Sequence, residues 1–348
     1  MTDPRPTPEA PRPVVTVVGS VNMDLVVSVP RHPAPGETII GSDYVTHPGG
    51  KGANQAVAAA RQGAEVRFMG RVGDDGFGAE LRAALVGDGV DVSALGTSRG
   101  PSGVAFIQVD ERGQNSITVS PGANYALTVA DLPEAAFQGA DVLLLQLEVD
   151  LQVVLAAARR ARQAGALVVL NLAPAQRLSA EQLRDVTHLV VNEHEAALLM
   201  GATSLAVVNA PEHAARELTA LVPNVVVTLG DAGAVWAERR GDEVVAGRVP
   251  AFAVNAVDTT AAGDAFTGAF AVRLAAGAAA AAAAAPTADA PAATLPSAGA
   301  ATGTAAGAMA EVVRYACAAG ALATTRPGAQ PSLPRAADVE RLLREGAP

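Results

Sequence analysis

The stretch VDTTAAGDAF, residues 257–266, places two carboxylates around a run of Thr, Ala and Gly. Small residues let a backbone approach a ligand closely, and a helix that starts here would direct its free N–H groups at an anion such as phosphate. A carboxylate beside a phosphate is unfavourable unless it performs a task, such as taking a proton from an attacking hydroxyl. The stretch therefore predicts a phosphoryl-transfer site with Asp264 as the candidate base.

A second glycine-rich stretch, HPGGKGANQAVAAARQG at residues 47–63, adds a cation at Lys51. It is not a Walker A loop, because Val45 stands at the position of the first Gly and Gly52 follows the Lys in place of Ser or Thr. The stretch GRVGDDGFG likewise lacks the G-x-G-x-x-G dinucleotide pattern. Taken alone, this cluster is more typical of a turn than of a binding site.

The composition describes a chain that can bury a large core. It has 348 residues, 50% of them apolar, and a mean hydropathy of +0.26. A net charge of −10 without clustered Lys or Arg excludes nucleic acid as a default partner. A single cysteine excludes a disulfide framework and suits the cytoplasm, and five scattered His give no metal-ligand spacing.

Two segments fall outside the expected core, and neither reads as a membrane span or a signal peptide. Residues 1–13, MTDPRPTPEAPRP, are Pro-rich without an apolar run and predict a disordered leader. Residues 277–308 form a low-complexity, Ala-rich insertion, in which the unbroken Ala run predicts a short helical extension. The Pro, Gly, Ser and Thr that follow predict a flexible loop.

Between these segments, apolar runs alternate with Ala-rich helical stretches. Runs such as ADVLLLQLE, ALVVLNLA, THLVVNE and NVVVTLGD are apolar on both faces, which predicts a mostly parallel sheet covered by helices, an α/β fold. Many runs end in a polar residue or Gly: Asn22 and Asp24, Glu148, Asn171, Asn192 with Glu193, and Gly230. Since ligands bind off the carboxyl ends of such strands, these residues predict one shared crevice.

Two regions break the alternation and predict a second, smaller sheet. They are GETIIGSDYVTHPGG, within residues 34–50, and GVAFIQVDERGQNSITVSPGAN, at 103–124, the latter a hairpin that turns at DERGQ. We place the lid strands at about 34–48 and 102–122. A small sheet of this kind is a natural lid, which excludes the water that would compete with an acceptor hydroxyl.

Nine motifs occur in an order that resembles the ribokinase-like, phosphofructokinase-B family of sugar kinases: VVGSVNMD, PGGKGANQAVAAARQGA, GRVGDDGFG, LQLE, NLAPA, NEHEA, TLGDAGA, VDTTAAGDAF and TRPGAQPSLP. The resemblance runs from about Val14 to Leu343, broken only by the Ala-rich insertion. It implies a three-layer α/β/α kinase domain over residues 14–346 with a β-sheet lid. Within the family, the set as a whole is most similar to the ribokinases.

The resemblance implies a sugar site, and carboxylate and amide groups suit a polyol because each desolvated hydroxyl needs a partner. Its expected residues are Asn22, Met23, Asp24, Gly50, Lys51, Gly52, Asn54, Glu148 and Asp264. A structural alternative stays open for two of them, since Asp24 or Glu148 could cap a helix or pair with an Arg.

The resemblance also implies a transfer site, in which Asp264 matches the catalytic base and Ala261, Ala262 and Gly263 match the anion hole. ATP, with Mg²⁺, is expected on Asn192, Glu195, Thr228, Leu229, Gly230, Asp231, Gly233, Gly263, Asp264 and Cys317. Glu195 could instead be a solvated helix residue, and Cys317 an apolar filler near the adenine.

A monovalent-cation site, for K⁺, is the last site that the resemblance implies. Its expected residues are Asp258, Thr260, Ala323, Arg326, Gly328 and Ser332, most of them through backbone carbonyls. The alternative is that Asp258 caps the following helix. Two departures from the family pattern are the Ala-rich insertion and Pro327, and neither involves Asp264 or Asp24.

The function implied is ATP-dependent phosphorylation of D-ribose at the 5-hydroxyl, by a cytoplasmic homodimer joined through the lid sheet, with neither nucleic acid nor membrane as a partner. One alternative is a related kinase acting on another sugar or a nucleoside. An alternative from a different class is a catalytically silent sugar-binding sensor. The intact AAGD at 261–264 argues against a sensor, which has no need of a base beside an anion hole.

Overall fold

The structure, a computed structural model, describes residues 12–284 and 302–346. The predicted leader, apart from its last two residues, lies outside the described residues, as does the predicted flexible loop as far as residue 301. The last part of that predicted loop, residues 302–308, is helical instead and forms the start of a long helix. None of the described helices is both long and apolar enough to cross a lipid bilayer.

The described strands and helices alternate along most of the chain. The strands are β1 (Val14–Val18), β2 (Asn22–Ser28), β3 (Val45–Gly49), β4 (Glu65–Gly73), β5 (Leu95–Ser98), β6 (Gly103–Val109), β7 (Asn115–Ser120), β8 (Val142–Leu145), β9 (Leu167–Asn171), β10 (His188–Asn192), β11 (Asn224–Thr228), β12 (Ala234–Arg240) and β13 (Glu243–Val249). The helices are α1 (Lys51–Arg61), α2 (Gly76–Gly87), α3 (Leu151–Gln163), α4 (Ala180–Leu183), α5 (Glu193–Met200), α6 (Ser204–Asn209), α7 (Pro211–Leu218), α8 (Ala262–Ala284), α9 (Thr302–Ala323) and α10 (Ala336–Glu345).

A nine-stranded sheet lies at the centre, in the order β13-β12-β11-β10-β9-β8-β1-β4-β5. The strands from β11 to β5 pair in parallel, whereas β12 and β13 are antiparallel at one edge. Parallel neighbours need long crossovers, which the helices supply. The predicted mostly parallel α/β fold is therefore confirmed.

Both faces of this sheet are buried, and successive strand residues enter different cores. In β1, Val17 belongs to the core formed with α1, α8 and α9, while Val18 belongs to the core formed with α3, α5 and α7. Both side chains are fully buried. Burial on both faces explains why the strand runs are apolar throughout instead of alternating with polar residues.

A separate four-stranded sheet, here called the lid sheet, has the order β3-β2-β6-β7. The predicted hairpin at DERGQ is the antiparallel pair of β6 and β7. The first predicted lid segment differs from the structure, because regular pairing begins only at Val45. β2 also belongs to this sheet, although it lies in the same apolar stretch as β1. The chain leaves the central sheet after Val18, so β2 carries Asn22 and Asp24 into the lid.

The Ala run of the insertion continues α8 to Ala284, as the predicted helical extension required, and α9 begins at Thr302. Nearer the start of α8, Gly268 lets this helix approach α1. A Cβ atom on Gly268 would lie 2.5 Å from Cβ of Ala58 and 2.8 Å from the carbonyl oxygen of Gln55. Real Cβ atoms do not tolerate these distances, so the two helices would have to move apart.

We therefore expect Gly268→Ala to lower the free energy of unfolding by about 1–3 kcal/mol, the usual cost of overpacking. Gly277→Ala is the matched control, because Gly277 lies in the same helix, is exposed and has open space at its Cβ. The control should stabilise by up to about 1 kcal/mol through helix propensity. Chemical denaturation measures both changes, and an equal effect of the two substitutions would contradict close helix packing at Gly268.

Candidate active site

Asp264 lies in the first turn of α8, at the carboxyl-end edge of the central sheet. The chain enters this helix through Ala261, whose φ of 59° is the one positive value among the non-glycine residues described. This left-handed conformation costs roughly 1–2 kcal/mol and is retained where the surroundings impose it. It leads directly into a helix N-terminus, where first-turn N–H groups have no intrahelical partner. The predicted anion hole at residues 261–263 therefore has the required backbone, although the Ala262 amide also donates to the Thr259 carbonyl at 3.3 Å.

Both carboxylate oxygens of Asp264 accept hydrogen bonds from neutral amides of α1. Asn54 Nδ2 donates to Oδ2 at 2.9 Å, and Gln55 Nε2 donates to Oδ1 at 3.0 Å. Asp264 is 7% exposed. Burial raises the pKa of this carboxyl above its ordinary value, while Lys51 and the two amides act in the opposite direction.

Two further amides, Gln146 and Asn171, connect to this pair through Gln55, and the sequence reasoning gave none of these three a role at Asp264. Gln55 itself is fully buried, and its Oε1 accepts from Gln146 Nε2 at 2.6 Å. The Nε2 of Gln55 also donates to Asn171 Oδ1 at 3.1 Å. All three lie within motifs already singled out: GGKGANQ, LQLE and NLAPA. A signal was available, because a polar residue inside an apolar strand run needs a buried partner.

A second group of side chains, from the lid sheet and the turn after β7, borders the same space, since Asp24 is close enough for the charges of Glu148 and Asp264 to raise its pKa. Asn22 Oδ1 accepts from Asn124 Nδ2 at 2.7 Å, and Asn124 is a residue that the sequence reasoning missed. The buried Asp24 carboxylate lies against Gly49, where a Cβ atom would come within 2.2 Å of Asp24 Oδ2. Met23 lies between them on β2, points to the opposite face and is fully buried in the core. Only its backbone could take part in the predicted sugar site.

Glu148 connects this space to the start of α1. Its Oε2 accepts from the Ser20 hydroxyl at 2.5 Å and from the Lys51 backbone amide at 3.1 Å. The Gly52 amide in turn donates to Ser20 Oγ at 3.3 Å. The capping alternative for Glu148 is thus observed for one of its oxygens, and Gly50, with φ of 89°, allows the sharp entry into the helix.

The electrostatics of the site depend on one cation among four carboxylates. Burial alone would lower the pKa of Lys51, but the charges of Asp264, Glu148, Glu195 and Asp24 outweigh it and raise the pKa. Burial, followed by the charges of Glu148 and Asp264, raises the pKa of Asp24 to about 7. Lys51 therefore stays protonated, while Asp24 is divided between its two protonation states at neutral pH.

On the other side of Gly263 lies a cavity of about 490 Å³, here called the α8–α9 cavity. Most of its lining is small or apolar, which suits a flat ring system. Six predicted nucleotide residues line it: Thr228, Gly230, Asp231, Gly233, Gly263 and Cys317. Ala262, predicted for the anion hole, also lines it. The lining residues that the sequence reasoning missed are Ala251, Phe252, Ala253, Val254, Ala256, Thr259, Phe266, Gly320, Ala321 and Thr324.

Four predicted nucleotide residues do not line this cavity. Leu229 is buried behind it and donates its N–H to the Gly233 carbonyl at 2.8 Å. Asn192 and Glu195 form a reciprocal capping box at the start of α5, with bonds of 2.9 Å and 2.8 Å. Glu195 is buried, not solvated, and burial raises its pKa. Asp264 faces the amides of α1 instead. Inside the cavity wall, burial raises the pKa of Cys317 to about 12, as expected for an inert thiol.

The residues predicted to bind a monovalent cation come from two segments of the chain, before α8 and after α9, that the fold brings together. Asp258 Oδ1 accepts the Thr260 amide at 2.9 Å, and Oδ2 accepts the Gly328 amide at 2.8 Å. Burial alone would raise the pKa of Asp258, but these hydrogen bonds from Thr260 and Gly328 outweigh it and lower the pKa. Of the other residues predicted for the cation site, Ala323 and Ser332 are buried, and Arg326 is exposed. Among the described residues, no cluster of three or more His, Cys, Asp or Glu could hold a metal ion.

Comparison with known proteins finds carbohydrate kinases by family profile, by sequence and by structure. The profile of the pfkB family carbohydrate kinases matches residues 13–336. A ribokinase from Haemophilus influenzae is 38% identical over 326 residues, 93% of this chain and 96% of that protein. A deoxyribokinase from Salmonella typhi is 38% identical over 267 residues, 74% of this chain and 84% of that protein. The structure of Arabidopsis thaliana ribokinase complexed with ribose and ATP has a TM-score of 0.78 and 30% identity, covering 96% of this chain and 99% of that one.

The position of Asp24 generates a prediction about stability. Because its pKa in the folded state, about 7, lies above the ordinary value of 3.8, the folded protein binds more protons than the unfolded chain between these pH values. The stability contribution of this group therefore falls as pH rises through that window. Asp24→Asn should raise the free energy of unfolding by roughly 1–3 kcal/mol at pH 8, and the gain should shrink towards pH 5.

Denaturant titration at the two pH values measures this difference. The control is Asp43→Asn, since Asp43 is an exposed carboxylate before the neighbouring strand β3. A gain at Asp24 that does not depend on pH would contradict a raised pKa.

Proposed function

Because the chain belongs to the pfkB family of carbohydrate kinases, we propose that it transfers the γ-phosphoryl group of ATP to the 5-hydroxyl of D-ribose. The observation that carries this proposal is the juxtaposition of two compartments at the start of α8. Gly263 lines the α8–α9 cavity, while Asp264, the next residue, faces the acidic and amide side chains of the other compartment. A base that stands between a nucleotide and a polyol is what a sugar kinase needs.

The acceptor sugar is proposed to occupy the compartment between the lid sheet and α1. Asn22, Asp24 and Asn54 present amide and carboxylate groups there, and Asn54 Oδ1 is buried with no partner in the protein. A sugar hydroxyl would satisfy that oxygen. An analogue lacking a hydroxyl leaves such groups unpaired, so this kind of site discriminates strongly against it.

In the proposed transfer step, the attacking hydroxyl gives its proton to the Asp264 carboxylate as its oxygen bonds to the γ-phosphorus. The bond from that phosphorus to the bridging oxygen of ADP breaks, and the proton later leaves to solvent. The amides of the 261–263 turn are the proposed donors to the transferring phosphoryl group, whose charge Lys51 also offsets. Lid closure would keep water from competing with the sugar.

Two ions complete the proposal. Mg²⁺ bound to ATP would neutralise phosphate charge, and Glu195 is the protein group proposed to serve it, because the capping box uses only one of its carboxylate oxygens. For K⁺, the fit rests on the loops joined by Asp258, whose carboxylate is anionic and accepts a backbone amide from each of them. There the cation would stabilise the anion-hole turn without contact to substrate.

We also propose a cytoplasmic homodimer, in keeping with a sugar and ATP as its ligands. The lid sheet and the loop before β3 have exposed apolar side chains: Ile40 and Tyr44 in the loop, Val45 on β3, Phe106 on β6, and Ile117 and Val119 on β7. Together with the free edge of β7, this surface suits a second copy of the lid. Analytical ultracentrifugation measures the oligomeric state. The remaining domain proposal is one kinase domain over residues 14–346 with residues 277–308 as an insertion.

A second candidate has a specific observation in its favour, because the deoxyribokinase from Salmonella typhi is as similar in percentage identity as the Haemophilus influenzae ribokinase. The second candidate function is therefore phosphorylation of 2-deoxyribose, the acceptor that the name of the Salmonella typhi protein gives. ADP release measured across ribose, 2-deoxyribose, hexoses and nucleosides separates the two candidates. A catalytically silent sensor would release no ADP with any acceptor.

The role of Asp264 gives the first kinetic prediction. Asp264→Asn should lower kcat by at least about 10²-fold, because a general base contributes about 10²–10⁴, and ribose affinity should change little. The control is Asp242→Asn, an exposed carboxylate in the turn between β12 and β13, which should retain full activity. Wild-type turnover by Asp264→Asn would remove the base from the mechanism.

The cation site gives the second kinetic prediction. Initial rates in KCl should exceed those in NaCl or tetramethylammonium chloride at equal ionic strength by about fivefold or more, the lower range of coupling between two sites. Asp258→Ala should lose this response, whereas Asp242→Ala should keep it. Equal rates in all three salts would support a purely structural cap at Asp258.

A further inference from the structure

We propose that Gln55 is a positioning residue for the reaction: it fixes the Asp264 carboxylate in one orientation and is itself fixed by Gln146 and Asn171. This inference rests on the proposed role of Asp264 as the base. It concerns side chains of α1, of β9 and of the residue that follows β8, of which Gln55 and Gln146 are fully buried.

The hydrogen bonds of Gln55 use all of its polar hydrogens. Nε2 donates one hydrogen to Asp264 Oδ1 at 3.0 Å and the other to Asn171 Oδ1 at 3.1 Å. Its Oε1 accepts from Gln146 Nε2 at 2.6 Å. A side-chain amide has two donor hydrogens and one acceptor oxygen, so this arrangement leaves Gln55 no freedom to rotate.

The direction of the donors is set by the main chain of the central sheet. Asn171 Nδ2 donates to the Val190 carbonyl of β10 at 3.3 Å, and a carbonyl can only accept. Asn171 must therefore turn its oxygen towards Gln55, and Gln55 must turn its nitrogen towards both Asn171 and Asp264. If Gln55 were flipped, its oxygen would face two acceptor oxygens and its nitrogen would face the Gln146 donor.

This chain of donors restrains the base at both of its oxygens. Asn54 holds Oδ2 at 2.9 Å, and Gln55 holds Oδ1, so rotation of the carboxylate would break at least one hydrogen bond in a buried site. Asn54 also borders the sugar compartment, whereas Gln55 is fully buried. Gln55 can therefore serve Asp264 continuously, before and after the sugar binds.

The same donor affects the charge on Asp264. Two charged groups affect the pKa of Asp264: Lys51 lowers it by favouring the anion, and Glu148 raises it by disfavouring the anion. The charge of Asp264 in turn raises the pKa of Asp24. Burial raises the pKa of Asp264, and the hydrogen bonds from Asn54 and Gln55 lower it. Loss of Gln55 should therefore make the base protonate at a higher pH.

A merely structural role is the competing explanation, and α1 provides a matched control for it. Gln62 is a buried glutamine at the C-cap of the same helix, and its amide is hydrogen-bonded through both its nitrogen and its oxygen. Its Nε2 donates one hydrogen to the Pro334 carbonyl at 2.8 Å, and its Oε1 accepts from the Tyr315 hydroxyl at 2.7 Å, so it makes two of the three kinds of hydrogen bond that Gln55 makes. Gln62→Met removes comparable hydrogen bonds without touching Asp264.

The experiment compares Gln55→Met with Gln62→Met in two measurements. The first measurement is the dependence of kcat on pH with saturating ribose and ATP. When each kcat is divided by the plateau value of the same variant, the kcat of Gln55→Met on the acidic limb should be about tenfold below that of wild type. The second measurement follows the ¹³C signal of the Asp264 carboxyl during pH titration without ligands, assigned by its absence in Asp264→Asn. Its midpoint should move to higher pH in Gln55→Met and stay at the wild-type pH in Gln62→Met.

The outcomes separate this inference from the proposed function. An Asp264 titration that does not move in folded Gln55→Met would overturn the positioning role, as would an equal movement in Gln62→Met. Full turnover by Asp264→Asn would instead refute the base, whatever the titration shows. If Gln55→Met does not fold, Gln146→Met removes the donor to Gln55 Oε1, and the same titration should move in the same direction.

Discussion

A buried carboxylate at the start of α8 is the feature on which the rest of the site depends. Asp264 is almost inaccessible to solvent, and an ion removed from water must recover its lost hydration through hydrogen bonds and nearby charge. The protein meets this requirement with two neutral amides and the cation of Lys51. Neutral donors leave the carboxylate basic enough to accept a proton, which a bidentate Arg would oppose.

These donors must come from a helix that lies very close to α8. α1 supplies Lys51, Asn54 and Gln55, and Gly268 permits the two helices to approach. The start of α1 is in turn held by the Glu148 carboxylate through the Lys51 amide. Backbone packing and site chemistry are thus one arrangement, so a methyl group at Gly268 would disturb both.

Two compartments meet at Gly263 and Asp264, and they differ in polarity for a physical reason. The α8–α9 cavity is lined mainly by small and apolar residues, which suits a flat ring. The compartment beneath the lid sheet carries carboxylates and amides, which suit hydroxyls. Since β2 belongs to the lid, movement of that sheet would carry Asn22 and Asp24 with it.

The sequence by itself determined the α/β class, the shared edge of polar strand ends and the AAGD turn, because apolar runs, small residues and helix starts follow from local chemistry. It did not predict that β2 belongs to the lid sheet, because an apolar stretch of sequence does not indicate which of two sheets it joins. It also left Gln55, Gln146 and Asn124 without roles, and it placed Asn171 in the shared crevice without a partner. Their hydrogen bonds join residues far apart in the chain, about 100 positions between Asn124 and Asn22, for example. Only the tertiary structure decided those partners, because a buried amide is defined by the donor or acceptor that packing brings to it.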